Sequence, residues 1–288
     1  MQAGGGSIVV TQLVGLACAT TVTVIVLAAG ARPWRGRTAR TSAWCAPLAL
    51  GLAFASAFLA TRSLPAFPPR ETLQWLFWFA LGASLHGILG PSGRAAGWTR
   101  AFLSMLLPFL VLAFQRRHHW ERLEGALWTA GLAAWLFSCW QLALRGAERA
   151  SAAPAALGLA LTCALAAATF GLAGGGLFFV LPATLALDTG ALALLGFWRG
   201  EPGLGARGWS PFVVLFFGCL WCARYLYELS AVGFALLSLV PLAPESALLV
   251  PGQHAKWRAL IALFAPFLLA AATLAYELAH VSTPLAYG

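Results

Sequence analysis

Apolar runs of about 18 or more residues recur along the whole chain, separated by short connections that carry most of the charge. The first run, Ile8 to about Gly30, follows a short, uncharged, Gly-rich start. Its positive charges, Arg32, Arg35, Arg37 and Arg40, lie on the far side, the reverse of a secretory signal. It reads as a retained first span with the N-terminus outside.

A second span covers about Ala43 to Ala60. The connection Thr61 to Arg70 holds Pro65, Pro68 and Pro69 and cannot be helical throughout, because proline lacks an N–H. Glu71 and Thr72 lead into a third span, Leu73 to about Gly90, and a fourth, about Ala101 to Phe114, is short and contains Pro108. The fifth is about Gly125 to Leu144. The sixth begins near Pro154 and ends at Gly174-Gly175-Gly176, which reads as a tight hairpin into the seventh, about Leu177 to Trp198.

The eighth run begins near Ser210 and stays apolar to Leu242. As one helix it would reach about 45 Å, against a hydrocarbon core of about 30 Å. It therefore either tilts and protrudes or breaks near Ser230 to Gly233. The ninth span is about Arg258 to His280, with Pro266 inside. The pattern predicts an all-α integral membrane helical bundle of about nine spans, or eight if the fourth or sixth is not fully inserted, forming one polytopic domain over residues 1–288.

Composition agrees. The chain is 60% hydrophobic and 9% charged, where soluble domains carry about a quarter charged residues. A soluble fold of this length could not hide so much apolar surface. The net charge of +9 comes from 17 arginines and Lys256 set mostly in connections, a distribution that serves membrane anchoring and topology. No basic domain exists, so nucleic acid is not an expected partner; the lipid bilayer is, with other membrane proteins as candidates. The Arg and Ala excess suits a GC-rich genome, and the bacterial cytoplasmic membrane is the expected location. With nine spans and the N-terminus outside, ten Lys and Arg fall inside and seven outside, with Arg116, Arg117 and Arg122 on the outer side. Trp34, Trp44, Trp98, Trp120, Trp198, Trp209 and Trp257 lie at span ends, as an aromatic belt requires.

Polar groups inside spans are costly and mark candidate sites. Asp188, the one aspartate of the chain, sits mid-span in Leu187-Asp188-Thr189-Gly190, and no second Asp is available for aspartyl-protease chemistry. Arg224 and Glu228 are four apart and could pair on one helix face, while Arg224 could instead reach Asp188 across the seventh and eighth spans. With Tyr225 they form a candidate intramembrane polar site: Asp188, Arg224, Tyr225 and Glu228. Secondary candidates are His86, in the third span, and the pair Glu277 and His280, three apart near the end of the ninth. His118-His119 with Glu121 and Glu124 is the polar cluster outside the spans, although adjacent helical histidines diverge. The six cysteines, including Cys219-x-x-Cys222, lie in apolar segments and imply no disulfide framework. No catalytic residue, metal site or cofactor is assigned; HExxH, P-loop and GxGxxG motifs are missing from the sequence.

The stretch Phe67-Pro68-Pro69-Arg70-Glu71-Thr72-Leu73-Gln74-Trp75-Leu76-Phe77-Trp78 resembles a segment of uncharacterised bacterial polytopic membrane proteins. In those, Phe-Pro-Pro leads directly into a Trp-rich apolar helix. The likeness covers about 25 of the 288 residues and implies a polytopic fold without an activity.

The leading expectation is a non-enzymatic structural or assembly component of the membrane. One alternative is a small-molecule permease using Asp188, Arg224, Tyr225 and Glu228. Another is a lipid-modifying membrane enzyme with His118, His119 and Glu121 at the interface.

Overall fold

A computed structural model describes residues 5–31, 42–90, 93–147, 152–173, 178–199, 204–250 and 254–281. Among them every regular element is helical. They are α1 (Gly5–Ala31), α2 (Cys45–Thr61), α3 (Thr72–Leu89), α4 (Gly93–Val111), α5 (Ala113–His118), α6 (Arg122–Ala147), α7 (Ala152–Leu172), α8 (Val180–Arg199), α9 (Gly205–Leu226), α10 (Ala231–Ser238), a 3-10 helix (Val240–Leu249) and α11 (Ala255–Val281).

Seven of the described helices, α1, α3, α6, α7, α8, α9 and α11, are long and apolar enough to cross a membrane. The chain is a multi-pass membrane protein. Each of the nine expected spans contains a helix, but α2 has only 17 residues, and α4 carries Arg94, Thr99 and Arg100 in its first half. The glycine hairpin at 174–176 and the first arginine-rich connection lie outside the described residues.

The eighth apolar run breaks. α9 ends at Leu226, and Glu228 takes a left-handed conformation at φ 59°. The chain restarts as α10 behind Ser230, whose hydroxyl accepts from the Gly233 N–H at 2.9 Å and caps the new helix.

Beyond Ser230 the chain makes a further traverse of the bundle and does not lie along its surface. At the start of this traverse, the Ser230 N–H donates to Glu277 Oε1, near the end of α11 (3.2 Å). At its far end, Ala247 packs with Ala155 at the start of α7 and Ala262 near the start of α11. Glu277 and Ala262 are about 22 Å apart along a helix axis. The α10 and 3-10 segment therefore carries the chain back across.

Long helices that follow one another in the chain are otherwise antiparallel. Gly30 at the end of α1 meets Cys45 at the start of α2, and Gly15 meets Thr61 at the end of α2. With the extra traverse, Gly5 of α1 and Val281 of α11 come to the same side of the bundle, the proximal face. The ends of α3, α6 and α8 and the starts of α4, α7, α9 and α11 form the distal face.

α9 is the central helix. Its spanning window is 83% buried, against 28% for α1 and 22% for α11 at the periphery. Its apolar residues run all round the helix, and Phe212, Phe216, Phe217 and Trp221 are buried. Trp209 is also only 5% exposed, packed edge-on against Phe212, so it belongs to the core and not to an aromatic belt. Trp98 and Trp257 are exposed at helix starts, where a belt needs them.

Two close helix contacts share one device. Pro211 cannot donate to the carbonyl of Arg207, and Gly87 of α3 packs there, where a Cβ would lie 2.6 Å from that oxygen. Pro266 likewise leaves the Ala262 carbonyl without its helical donor, and Gly158 of α7 sits on it and on the Leu263 carbonyl. In each pair a proline frees a carbonyl and a glycine on the next helix lets the backbones approach, a geometry suited to Cα–H···O contacts.

Candidate functional site

The Gly87 contact locks α3 to the start of α9 and opens a polar cavity at the distal face. It has a volume of about 420 Å³ and lies between the end of α3, the start of α4, the end of α6 and the start of α9. Its polar lining is His86, Arg100, Gln141, Arg145, Arg207 and Ser210, and among the described residues the lining includes no carboxylate.

Local structure sets each group in place. α3 ends at Gly90, whose φ of 53° is the left-handed conformation glycine adopts most readily at a helix C-terminus. The missing side chain also makes room for Arg207: a Cβ on Gly90 would lie 2.8 Å from its guanidinium carbon. Arg207 Nη1 donates to the Ile88 carbonyl (3.2 Å). Arg100 donates from Nε to the Ala96 carbonyl (2.8 Å) and from Nη1 to Gln141 Oε1 (2.9 Å). Among the described residues these guanidinium groups are held by neutral oxygens, which orient their charge.

His86 joins the helices at the cavity wall. Its Nε2 lies 3.0 Å from Thr99 Oγ1 on α4, and its Nδ1 lies 3.2 Å from Ser210 Oγ on α9. Thr99 gives its own proton to the Ala95 carbonyl (3.0 Å), so it accepts from Nε2–H. Nδ1 is then the acceptor for the Ser210 hydroxyl. The Trp140 edge packs against the ring, with centroids 5.5 Å apart.

The proximal face differs. There Arg62 faces a carboxylate, Glu71 Oε2, at 3.6 Å. Burial pushes the Tyr227 phenol up from its ordinary range, and the Arg62 guanidinium beside it pulls the other way.

The four residues expected to form one intramembrane polar site are not brought together as a site. Asp188 is fully buried on α8 and accepts at Oδ1 from the Thr23 hydroxyl of α1; its Oδ2 has no hydrogen-bond partner among the described residues. Arg224 donates instead to the Leu229 carbonyl (2.7 Å). The reason is register: Arg224 lies 19 residues into α9, whereas Asp188 lies 11 from the end of α8, an axial offset of about 12 Å. Arg224 and Glu228 form no ion pair among the described residues, because the helix ends at Leu226 and their four-residue spacing no longer defines one face. Tyr225 packs edge-on against Trp120, and its carbonyl accepts from Gln115 Nε2 (2.8 Å).

Of the secondary candidates, Glu277 turns inward to Ser230, while His280 stacks on the Tyr276 ring with centroids 4.0 Å apart. His118 and His119 are exposed and both lie against the Phe114 ring, and Glu121 is exposed. Cys219 and Cys222 are buried in the core. His86 alone among the expected residues lines the cavity. Its partners Arg100, Arg145 and Arg207 read in the sequence as ordinary flanking charges, and only their positions at ends of neighbouring helices signal the convergence.

Comparison with protein-family models, curated proteins and solved structures finds no match for this chain.

Proposed function

We propose that this multi-pass membrane protein binds a small anion in the His86 cavity, at the cytoplasmic side of a bacterial membrane. One observation carries the reading: three guanidinium groups and an imidazole line a cavity that has no carboxylate among its described residues. Cations gathered without counter-charge repel one another, and a bound anion relieves that repulsion. The permease expectation is thereby kept in a changed form, with its ligand site moved from Asp188 and Arg224 to the distal face.

Charge supports the orientation. Counted along the sequence, the segments that link distal helix ends carry 12 of the 18 Lys and Arg, and those that link proximal ends carry six. The bias exceeds the ten to seven expected for nine spans because the extra traverse moves Lys256 and Arg258 to the other side. By the positive-inside rule the distal face is cytoplasmic and the N-terminus outside.

The test is thermal unfolding of the purified protein in uncharged detergent with phosphate, sulfate or succinate added. Ligand at a hundred times Kd stabilises by about 2.7 kcal/mol. At least one of these anions should raise Tm, and the Arg100→Gln/Arg207→Gln variant should lose the rise. If no anion shifts Tm, or the double variant responds like the parent, the reading fails.

A further inference from the structure

We infer that the anion held in the His86 cavity is the phosphate of an organic phosphate ester. This rests on the anion-binding reading above and specifies its ligand. The cationic complement comes first: Arg100, Arg145 and Arg207 line the cavity, and the guanidinium is the side chain best suited to phosphate oxygens. Three positive charges, two of them held in place by hydrogen bonds, with no acid among the described lining residues, match a dianion better than a single carboxylate.

The start of α4 adds to this. Gly93 lines the cavity at the first position of a 19-residue helix, so that helix directs its first turn and positive dipole end toward the same space. Nothing lies within 4 Å of where a Cβ on Gly93 would stand, which leaves the backbone approachable.

Size then separates an ester from the bare ion. A water occupies roughly 30 Å³, and phosphate has five heavy atoms, so a cavity of about 420 Å³ leaves most of its space to something else. It falls within the roughly 300–1,000 Å³ of small-molecule sites. Gln141 gives its carbonyl to Arg100 and keeps its amide N–H groups for a ligand hydroxyl or carbonyl.

A phosphate ester could arrive from water or as a lipid headgroup. Trp98, Phe102, Met105 and Phe109 are exposed along α4 at four-, three- and four-residue spacing, an apolar stripe leading from the cavity level toward the bilayer centre. Acyl chains would lie along it, whereas a soluble ester would use the cavity alone.

The experiment is calorimetric titration of the delipidated full-length protein with inorganic phosphate, glycerol 3-phosphate, dihexanoyl phosphatidic acid and succinate. At least one phosphate ester should bind about tenfold or more tighter than both inorganic phosphate and succinate. Arg100→Gln and Arg207→Gln should each weaken that ester about tenfold, and Lys256→Gln, on the same face but away from the cavity, should not. Arg207→Lys, which keeps the charge and loses the fork, should fall between and guards against misfolding of the neutral variant. Phosphatidic acid binding tighter than glycerol 3-phosphate, with the advantage lost in Phe102→Ala, supports the lipid source; equal affinities support the soluble one. Succinate binding as tightly as the esters overturns the phosphate assignment, and inorganic phosphate doing so overturns the ester, with the anion site intact in both cases. No binding by any of the four overturns the inference together with the reading beneath it.

Discussion

Glu277, near the end of α11, accepts a hydrogen bond from the backbone N–H of Ser230 at 3.2 Å, and this contact completes the cap of α10 from another helix. In a capping box the third helical residue reaches back to the N-cap N–H with its own Glu or Gln. Here that position is Gly233, which has no side chain to offer. A Cβ on Gly233 would lie 2.6 Å from Glu277 Oε1, so the glycine both lacks the acceptor and admits the one from α11.

Replacing Glu277 by Ala leaves the Ser230 N–H without its partner and should cost about 1–3 kcal/mol. Glu277→Gln keeps an acceptor oxygen and should cost less. Gly233→Ala should resemble Glu277→Ala, since the new methyl displaces the carboxylate. Thermal unfolding followed by tryptophan fluorescence ranks the three variants. A Gln variant as damaged as Ala would mean that Glu277 acts through something other than this bond.

The same contact sets the topology. α11 spans, so the chain at His254 and the chain at Val281 lie on opposite faces; because the broken segment re-crosses the bundle, Gly5 shares the face of Val281 and not that of His254. Alkaline-phosphatase fusions joined after His254 should be inactive, and those joined after Val281 active, with the N-terminus accessible from outside. The reverse pattern, active after His254 and inactive after Val281, would remove the traverse and return the molecule to nine crossings.

Asp188 and Thr23 make a second testable pair. Thr23→Val leaves Asp188 Oδ1 buried without a donor and should cost about 1–3 kcal/mol. Asp188→Leu removes the acceptor as well, so the two changes together should cost less than their sum, with a coupling of about 0.5–3 kcal/mol. Asp188→Leu and Arg224→Gln, which share no partner, should add within about 0.5 kcal/mol. Coupling to Arg224 in place of Thr23 would reinstate the ion pair that the spacing suggested.

Asp188 shows how far residue types lead and where they stop. Its cost inside an apolar span is legible from the sequence, as are the span positions and the excess length of the eighth run. Its partner is not, because Thr23 is one of several threonines in an apolar helix and nothing local distinguishes it. The break after Leu226 carries no proline or glycine; Tyr227-Glu228-Leu229-Ser230 leaves the helix through the left-handed turn at Glu228, and without that knowledge Arg224 and Glu228 look paired. The cavity was hidden for a different reason. Arg100, Arg145 and Arg207 belong to three helices, and their convergence on His86 depends on how α3, α4, α6 and α9 pack. That packing turns on Gly87 meeting the carbonyl freed by Pro211, a relation between residues more than a hundred positions apart.

The proline-and-glycine device itself gives the last prediction. At Gly158 an added Cβ would meet the Leu263 carbonyl at 2.5 Å and the Ala262 carbonyl at 2.9 Å, both backbone atoms that cannot swing aside as a side chain would. Gly158→Ala should therefore push α7 from α11 and cost about 1–3 kcal/mol. Gly82, on α3, has nothing within 4 Å of its would-be Cβ, so Gly82→Ala should be neutral or gain about 0.5–1 kcal/mol from the lower entropy of the unfolded chain. Pro266→Ala restores a donor for the Ala262 carbonyl, which draws that oxygen back into its own helix. Combined with Gly158→Ala it should recover part of the lost stability. Thermal unfolding of the single and double variants decides the point: strict additivity would show that the freed carbonyl and the glycine act independently.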